Sequence, residues 1–284
     1  MLAKTYKTVF IDELKNLYPL QEIESFYKII LKHFGINQID IALNPSIELK
    51  NEELLFFNNA LNQLKKEIPI QYILGETKFF GLTFKVDKNV LIPRPETEEL
   101  VQWIIDDCKN QPKDSIKILD IGTGSGCIAI SLAKNNPHAQ VYAFDISSDA
   151  LKVAQKNAEL NNITIHFEKI NILETTKLSE QFDVIVSNPP YVRLQEKQLI
   201  KKNVLANEPE IALFVDDENP LIFYDKIASL AKNHLTKNGQ LYFEINQYLG
   251  NEMIQLLKNY QFKNIELKKD FYEVDRMIKA THLQ

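Results

Sequence analysis

The first seventy residues carry apolar side chains at helical spacing. One stripe recurs every three or four residues over positions 23–34, and Gly35 follows where a left-handed helix cap belongs. Two further stripes end before prolines, which cannot continue a helix. The three stripes are Ile23, Phe26, Tyr27, Ile30, Leu31 and Phe34; Leu54, Phe57, Leu61 and Leu64; and Phe10, Leu14 and Leu17. They predict a helical bundle over 1–75, whose stripes form its own core or contact a partner.

After residue 75 the periodicity changes. Positions 77–92 alternate and carry turn residues at Asp87-Lys88-Asn89, which predicts a β-hairpin linker over 76–93. From 94 to 284, strand-like runs alternate with helical stretches such as 149–161 and 221–235. The runs are 116–121, 140–144, 163–167, 182–187, 240–245 and 265–268. This alternation predicts an α/β domain with a doubly wound, mostly parallel sheet.

Composition narrows the class of protein. Of the 284 residues, 45% are hydrophobic and 25% are charged, as in ordinary globular proteins. The net charge of −5 predicts no broad basic face for nucleic acid. The first ten residues lack the apolar stretch of a signal peptide, and no run approaches the roughly 18 apolar residues of a membrane span. We therefore expect a cytoplasmic protein without a membrane partner, and we take it to be a monomer.

Cysteine and histidine residues give no sign of a metal site. The chain has two cysteines, Cys108 and Cys127, and five scattered histidines without the spacing of zinc ligands. Free cysteines are commonly buried. We expect two buried thiols and no metal.

A glycine-rich segment, Gly122-Thr123-Gly124-Ser125-Gly126, follows the first strand of the α/β domain and precedes a helix; we call it the glycine loop. Glycines let the backbone turn tightly and approach a ligand. The spacing is not that of a dinucleotide site, because Cys127 stands where the third glycine would be. No Walker lysine follows either. A nucleoside held without a phosphate grip points to S-adenosyl-L-methionine.

An acidic residue, Asp145, ends the second predicted strand of this domain. A carboxylate at the carboxyl edge of such a sheet can accept hydrogen bonds from both hydroxyls of a ribose. The alternative is a turn or capping role, since a helix starts near Ser147. The nearby glycine loop favours the ribose interpretation.

The strand over 182–187 ends in Asn188-Pro189-Pro190-Tyr191, which we call the acceptor tetrapeptide. The Asn188 side chain offers a carbonyl, and Pro190 has no N–H to engage the Pro189 carbonyl. Tyr191 adds a flat face. Two acceptors and a stacking surface suit a planar –NH₂ group, whereas the simpler alternative is a proline-stiffened strand exit.

Together, N-P-P-Y and G-x-G-S-G resemble the motifs of amino-methyltransferases, which methylate planar exocyclic or amide nitrogens. Further segments extend the similarity through both halves, and the whole chain resembles the bacterial release factor glutamine methyltransferase family. These segments are Gln71–Gly75, Val90–Glu98, Leu119–Ile128, Ile185–Tyr191, Glu208-Pro209 with Ala212-Leu213, and Lys269-Asp270 with Asp275-Arg276.

The resemblance implies a fold and an activity. It implies a small helical domain followed by a class I S-adenosylmethionine-dependent methyltransferase fold, with an antiparallel edge strand. The implied substrate, which receives the methyl group, is the glutamine of the Gly-Gly-Gln motif in class-1 peptide chain release factors. The implied catalytic residues are Asn188, Pro189 and Tyr191; the cofactor-binding residues are Gly122, Thr123, Gly124, Ser125, Gly126, Asp145, Ile172 and Asn188; and the substrate-binding residues are Asn188, Pro189, Pro190, Tyr191, Arg94 and Glu96.

The chain departs from the family pattern at a few positions. Glu273, Asn238 and Asn246 stand where glycine is common, and Asn171-Ile172 stands where an acidic or aromatic residue often flanks adenine. These departures concern the adenine contacts and the C-terminal loop rather than the transfer site.

Other interpretations stay open at this point. A ribosomal-protein glutamine methyltransferase shares N-P-P-Y but lacks the 94–98 pattern, which can also simply start a helix. A nucleic-acid adenine methyltransferase would need a basic face. A non-enzymatic adaptor would not need the intact motifs. Glu244 and Gln247 either line the pocket or cap a helix.

Overall fold

The computed structural model describes residues 1–110 and 115–283. Its contacts divide the chain into a helical unit, residues 1–75 with 201–207, and a sheet unit, residues 76–200 with 208–284. The α-helices are α1 Ala3–Leu14, α2 Leu20–His33, α3 Gln38–Leu43, α4 Asn51–Leu64, α5 Ile70–Leu74, α6 Pro95–Asn110, α7 Cys127–Asn135, α8 Ser148–Leu160, α9 Lys202–Asn207, α10 Ile222–His234 and α11 Gly250–Asn259. The strands are β1 Glu76–Phe79, β2 Leu82–Lys85, β3 Ile116–Ile121, β4 Ala139–Asp145, β5 His166–Lys169, β6 Phe182–Ser187, β7 Val192–Arg193, β8 Phe214–Val215, β9 Leu235–Glu244, β10 Lys263–Lys269 and β11 Asp275–Thr281.

The helical unit buries the predicted stripes in one core. Tyr27 is buried and donates its hydroxyl proton to the carbonyl of Ala3 at 2.6 Å, so its polar atom is satisfied. Gly35 has φ +73°, as expected for the residue after a helix. The prediction for Leu17 is wrong: α1 ends at Leu14, and Leu17 lies in the following turn with 48% of its surface exposed.

The hairpin of the sheet unit turns earlier than its sequence suggested. Strands β1 and β2 pair antiparallel, and Phe80 and Gly81 connect them with φ +49° and +76°. Two successive left-handed residues match the twist of a two-residue hairpin turn. The predicted turn at Asp87-Lys88-Asn89 is therefore wrong as the hairpin turn, and that segment forms a separate turn in which the Val90 N–H donates to the Asp87 carbonyl at 3.1 Å.

In the described chain, seven strands form one sheet in the order β10-β11-β9-β6-β3-β4-β5. Five of them are parallel, and β11 pairs antiparallel with both β9 and β10. The predicted doubly wound sheet with an antiparallel edge is confirmed. The run predicted at 163–167 is shifted, since β5 begins at His166, and β11 was not identified because charged and apolar residues are mixed in it.

Helices cover both faces of the sheet. Apolar side chains of α6 and α7 pack on one face, and those of α10 and α11 pack on the other. The chain proceeds from β3 to β4 and β5 on one side and from β6 to β9 on the other. The loops that leave β3 and β6 therefore diverge, and ligands bind at such a switch point.

Candidate active site

A cavity of about 370 Å³ lies at the carboxyl ends of β3, β4 and β6. We call it the central cavity. Its walls are parts of the glycine loop, the end of β4, the segment 170–173 that follows β5, and the first three residues of the acceptor tetrapeptide. The segments around residues 90–97 and 209–212 complete it.

The glycine loop is built from left-handed residues. Gly122, Gly124 and Gly126 have φ values of +74°, +55° and +81°. A Cβ at Gly122 or Gly124 would meet no atom within 4 Å, whereas one at Gly126 would lie 2.9 Å from the Ile130 side chain. The first two glycines thus leave open space at the cavity, and Gly126 serves the close packing of α7.

Asp145 holds the glycine loop and the start of α8 together. Its carboxylate accepts the N–H of Gly124 at 2.9 Å and that of Ser147 at 2.8 Å. Ser147 itself caps α8 by accepting the N–H of Ala150 at 3.1 Å. Burial raises the pKa of Asp145, and the backbone hydrogen bonds oppose that rise. Asp145 lines the central cavity, so ribose binding by its carboxylate stays a prediction that its turn role does not exclude.

A second carboxyl group lies under the same loop. Asp120 is fully buried, and its Oδ2 accepts the Thr123 hydroxyl proton at 2.6 Å. Its Oδ1 has no hydrogen-bond partner. Burial raises the pKa of Asp120 to about 7, against the hydrogen bond from Thr123.

Asn157 fastens the loop from behind and was missed in the sequence. Its amide donates to the carbonyls of Lys85 and Ser125, both at 2.9 Å, and its carbonyl accepts the Lys85 N–H at 2.6 Å. The side chain thereby joins β2, the glycine loop and α8. The available signal was an asparagine in the apolar face of a predicted helix, beside Ala154 and Ala158.

The acceptor tetrapeptide divides between the cavity and the protein interior. Asn188, Pro189 and Pro190 line the central cavity, but among the described residues that line it Tyr191 is absent. The Tyr191 hydroxyl instead donates to Glu244 Oε1 at 3.0 Å. Stacking of a substrate on Tyr191 therefore stays a prediction, without support from the position of its ring.

Glu244 neither lines the central cavity nor caps a helix. It is 2% exposed, and its Oε2 accepts the hydroxyl proton of Thr97 at 2.6 Å. Thr97 lines the cavity, and its Oγ1 lies 3.5 Å from the Asn188 amide nitrogen. Thr97 was not identified from the sequence, because the residues around it already explain this segment as the start of a helix.

Arg94 and Glu96, both predicted to bind substrate, lie in different settings. Arg94 lines the cavity and donates to the buried Glu208 at 2.7 Å, which also accepts the Ile92 N–H at 3.2 Å. Glu96 is half-buried in the first turn of α6 and is not among the described residues of the cavity wall. Its contact with a substrate stays a prediction.

The positions that depart from the family pattern have physical explanations. Asn238 and Glu273 both have φ +63°, in the left-handed region that glycine adopts without strain and asparagine tolerates. The buried Asn246 donates to the Tyr191 carbonyl at 3.0 Å and to Glu196 at 2.8 Å. Asn171 and Ile172 line the cavity after β5.

In the described part of the chain, no group of three or more His, Cys, Asp and Glu side chains could hold a metal ion. Cys108 and Cys127 are half-buried, so the prediction of two buried thiols is wrong. Partial burial of the two residues still raises the pKa of Cys127 to about 12 and that of Cys108 to about 11, so neither is an activated nucleophile. Across the described residues, no helix combines the length and the apolarity that a bilayer crossing requires.

The structure thus brings most of the predicted cofactor side together with the acceptor tetrapeptide. The predicted residues that line the central cavity are Gly122, Thr123, Gly124, Ser125, Asp145, Ile172, Asn188, Pro189, Pro190 and Arg94. Gly126, Tyr191 and Glu96 are not among the described residues that line it. The residues predicted to bind a nucleoside and those predicted to accept hydrogen bonds from a planar amide line one cavity, an arrangement that suits group transfer to a planar nitrogen.

Comparisons with known proteins identify the family of the chain. Residues 101–214 match the family described as Methyltransferase small domain, and residues 11–75 match the PrmC N-terminal domain. A release factor glutamine methyltransferase of Flavobacterium psychrophilum is 58% identical over 282 residues, which cover 99% of each chain. Another, of Bacteroides thetaiotaomicron, is 43% identical over 271 residues, 95% of this chain and 96% of the relative.

Solved structures support the fold alone. The crystal structure of a ribosomal protein L11 methylase from Lactobacillus delbrueckii subsp. bulgaricus is 23% identical, with a TM-score of 0.50. The match covers 70% of this chain and 84% of that one. Because its relatives align over nearly their whole length, the chain belongs to the release factor glutamine methyltransferase family.

Proposed function

We propose that this enzyme transfers a methyl group from S-adenosyl-L-methionine to the side-chain amide nitrogen of the glutamine in the Gly-Gly-Gln motif of class-1 peptide chain release factors. The observation that carries the proposal is that Asn188, Pro189 and Pro190 line the same cavity as the glycine loop and Asp145. The full-length similarity to release factor glutamine methyltransferases supports the glutamine of a release factor as the group that receives the methyl.

The residues of the cavity fit the cofactor. Open space over Gly122 and Gly124 lets a ligand reach the backbone, and Asp145 presents a carboxylate to a ribose. Phe144, Ile146 and Ile172 give the wall near Asp145 an apolar surface for a base. When bound, S-adenosylmethionine supplies an electrophilic methyl group on a sulfonium centre.

The amide nitrogen of the glutamine is a poor nucleophile, because its lone pair is delocalised into the carbonyl. It therefore needs to be oriented toward the methyl group, and it need not lose a proton before the attack. The Asn188 Oδ1 and the Pro189 carbonyl each accept one amide hydrogen, which fixes the nitrogen toward the methyl group. Both oxygens also stabilise the positive charge that grows on the nitrogen in the transition state. The proton then leaves to water, since the nearby Glu244 is buried behind Thr97 and Tyr191.

The other enzyme residues predicted to bind substrate act around the contact between the glutamine amide and the two carbonyl oxygens. Pro190 fixes the backbone after Pro189, and Tyr191 positions the tetrapeptide through its bond to Glu244. Arg94 and Glu96 contact the loop that carries the glutamine. We further infer a cytoplasmic monomer that does not bind nucleic acid directly, in keeping with its net charge of −5.

Mass spectrometry tests the proposal directly. Purified class-1 release factors are incubated with the enzyme and S-adenosylmethionine, and we expect one added methyl group on the Gly-Gly-Gln glutamine. A release factor with that glutamine changed to alanine is the matched control and should stay unmodified. Methylation of a ribosomal protein or of adenine in duplex DNA, with none on a release factor, would replace our proposal with one of the rival functions.

A further inference from the structure

Behind Asn188 runs a short chain of hydrogen bonds that the proposed chemistry does not use directly. The Asn188 Nδ2 lies 3.5 Å from the Thr97 hydroxyl, which lies 2.6 Å from Glu244 Oε2. The other oxygen of Glu244 accepts the Tyr191 hydroxyl proton at 3.0 Å. Thr97 is 2% exposed and Glu244 is 2% exposed, so water does not compete for these atoms.

The number of available protons decides which atom donates and which accepts in each of these hydrogen bonds. The Thr97 hydroxyl has a single proton, and an ionised carboxylate at 2.6 Å has only acceptors to offer it. The same oxygen of Thr97 can then only accept from its other neighbour, Asn188. The –NH₂ group of Asn188 must face Thr97, and its Oδ1 is left to face the central cavity.

We propose that Thr97 and Glu244 are positioning residues that orient the Asn188 side-chain amide, so that its oxygen rather than its –NH₂ group meets the substrate. The inference rests on the proposed function, in which Asn188 accepts a hydrogen from the glutamine amide. A reversed Asn188 would set its own donors against the donors of the substrate, and no hydrogen bond would form.

The Glu244 carboxylate receives two hydroxyl donors, Thr97 at 2.6 Å and Tyr191 at 3.0 Å, and this geometry makes it an acceptor. Burial raises the pKa of Glu244 and the nearby Glu96 adds to that, whereas the hydroxyls of Thr97 and Tyr191 and the charge of Arg276 act in the opposite direction. Arg276 is itself held by the buried Asp270 at 2.9 Å. Burial also raises the pKa of Tyr191, which therefore stays a hydroxyl donor to Glu244.

Substitutions at Thr97 separate orientation from packing. Thr97→Val keeps the shape but removes the hydroxyl, and we expect turnover on a release factor to fall about ten-fold or more, the effect of one lost polar contact. Affinity for S-adenosylmethionine, measured by calorimetry, should change less than about two-fold. Thr97→Ser keeps the hydroxyl and should recover most of the turnover. Thr281→Val makes the same change at a buried position of β11 and should have no effect on turnover.

Glu244→Gln provides a second test that does not depend on how Thr97→Val folds. It keeps the shape but removes the charge that claims the Thr97 proton, so turnover should fall by several-fold while cofactor affinity is kept. Wild-type turnover on a release factor is measured first, because its absence refutes the proposed function and not the orientation. With the wild type active, near-normal turnover of Thr97→Val and Glu244→Gln, or equal losses for Thr97→Ser and Thr97→Val, would overturn the inference.

Discussion

The two sides of the central cavity are built in different ways. On the proposed cofactor side, one continuous segment, the glycine loop, presents its backbone to the cavity, and Asp145 adds a carboxylate fixed by backbone N–H groups. On the acceptor side, Asn188, Thr97 and Glu244 come from three distant parts of the chain and meet only through side chains. Backbone geometry survives most substitutions, whereas a series of side-chain hydrogen bonds is broken when any one of its residues is replaced. Substitutions should therefore reduce activity more on the acceptor side than on the cofactor side.

The largest effect is expected on the acceptor side, at Asn188. Asn188→Ala removes one carbonyl acceptor of the substrate amide, and the transfer rate should fall on the order of 10²-fold or more. Cofactor affinity should change far less. Single-turnover transfer to a release factor and calorimetry with S-adenosylmethionine measure the two quantities.

Asn188→Asp refines this result, because it keeps the shape and adds a negative charge near the sulfonium. It should bind the cofactor as well as the wild type or better, and transfer more slowly. If Asn188→Ala instead kept nearly normal turnover, Asn188 would have no part in holding the amide.

The second largest effect is expected at Asp120, which lies under the glycine loop, and it concerns the pH dependence of the free energy of unfolding. The pKa of Asp120 is raised from its ordinary 3.8 to about 7, so the folded protein holds this proton more tightly than the unfolded chain does. The resulting stabilisation is complete below about pH 4 and is lost as the pH rises through about 7. We expect the contribution of Asp120 to fall by roughly 2–3 kcal/mol between pH 5 and 8.

Asp120→Asn removes this titration and keeps the shape. Urea unfolding at pH 5 and pH 8 should therefore show a smaller loss of stability for the variant than for the wild type. An equal loss in the two proteins would mean that Asp120 is ionised throughout this range.

A smaller effect is expected at Asp145. Asp145→Ala should weaken S-adenosylmethionine binding by roughly 1–3 kcal/mol, because polar groups of the ligand and the Gly124 N–H lose their partner. Calorimetry measures the affinity, and a thermal shift with S-adenosylmethionine but not with NAD should accompany binding to the wild type. An unchanged affinity would restrict Asp145 to its turn role at Ser147.

The smallest effect lies outside the cavity, at Glu273, an exposed residue with φ +63°. Glu273→Gly removes the strain of a left-handed side chain and should stabilise the fold by about 0.5–1 kcal/mol, without a change in turnover. Glu273→Ala keeps the Cβ and should show no such gain. Chemical unfolding of both variants makes the comparison, and an equal gain would show that the charge of Glu273, not its backbone, is unfavourable.

Local sequence determined what depends on neighbouring residues. The stripe over 23–34, the strands at 116–121 and 182–187, and the glycine loop are set by periodicity and by left-handed glycines, which act within a few residues. The glycine loop follows β3, Asp145 ends β4 and N-P-P-Y follows β6. These positions at the ends of parallel strands placed Asp145 and Asn188 at one sheet edge, where both line the central cavity. The resemblance to the family rested on these motifs together with further segments in both halves of the chain.

Tertiary structure decided what depends on contacts between distant residues. Nothing local distinguishes Thr97 from a helix-start residue or Glu244 from a cap, and only the pairing of β6 with β9 and the packing of α6 bring them behind Asn188. The same holds for Asn157, which joins β2 to the glycine loop, and for Tyr191, whose hydroxyl faces the interior rather than the cavity. A buried polar side chain must find its partner wherever the fold supplies one, and the sequence around it does not record which partner that is.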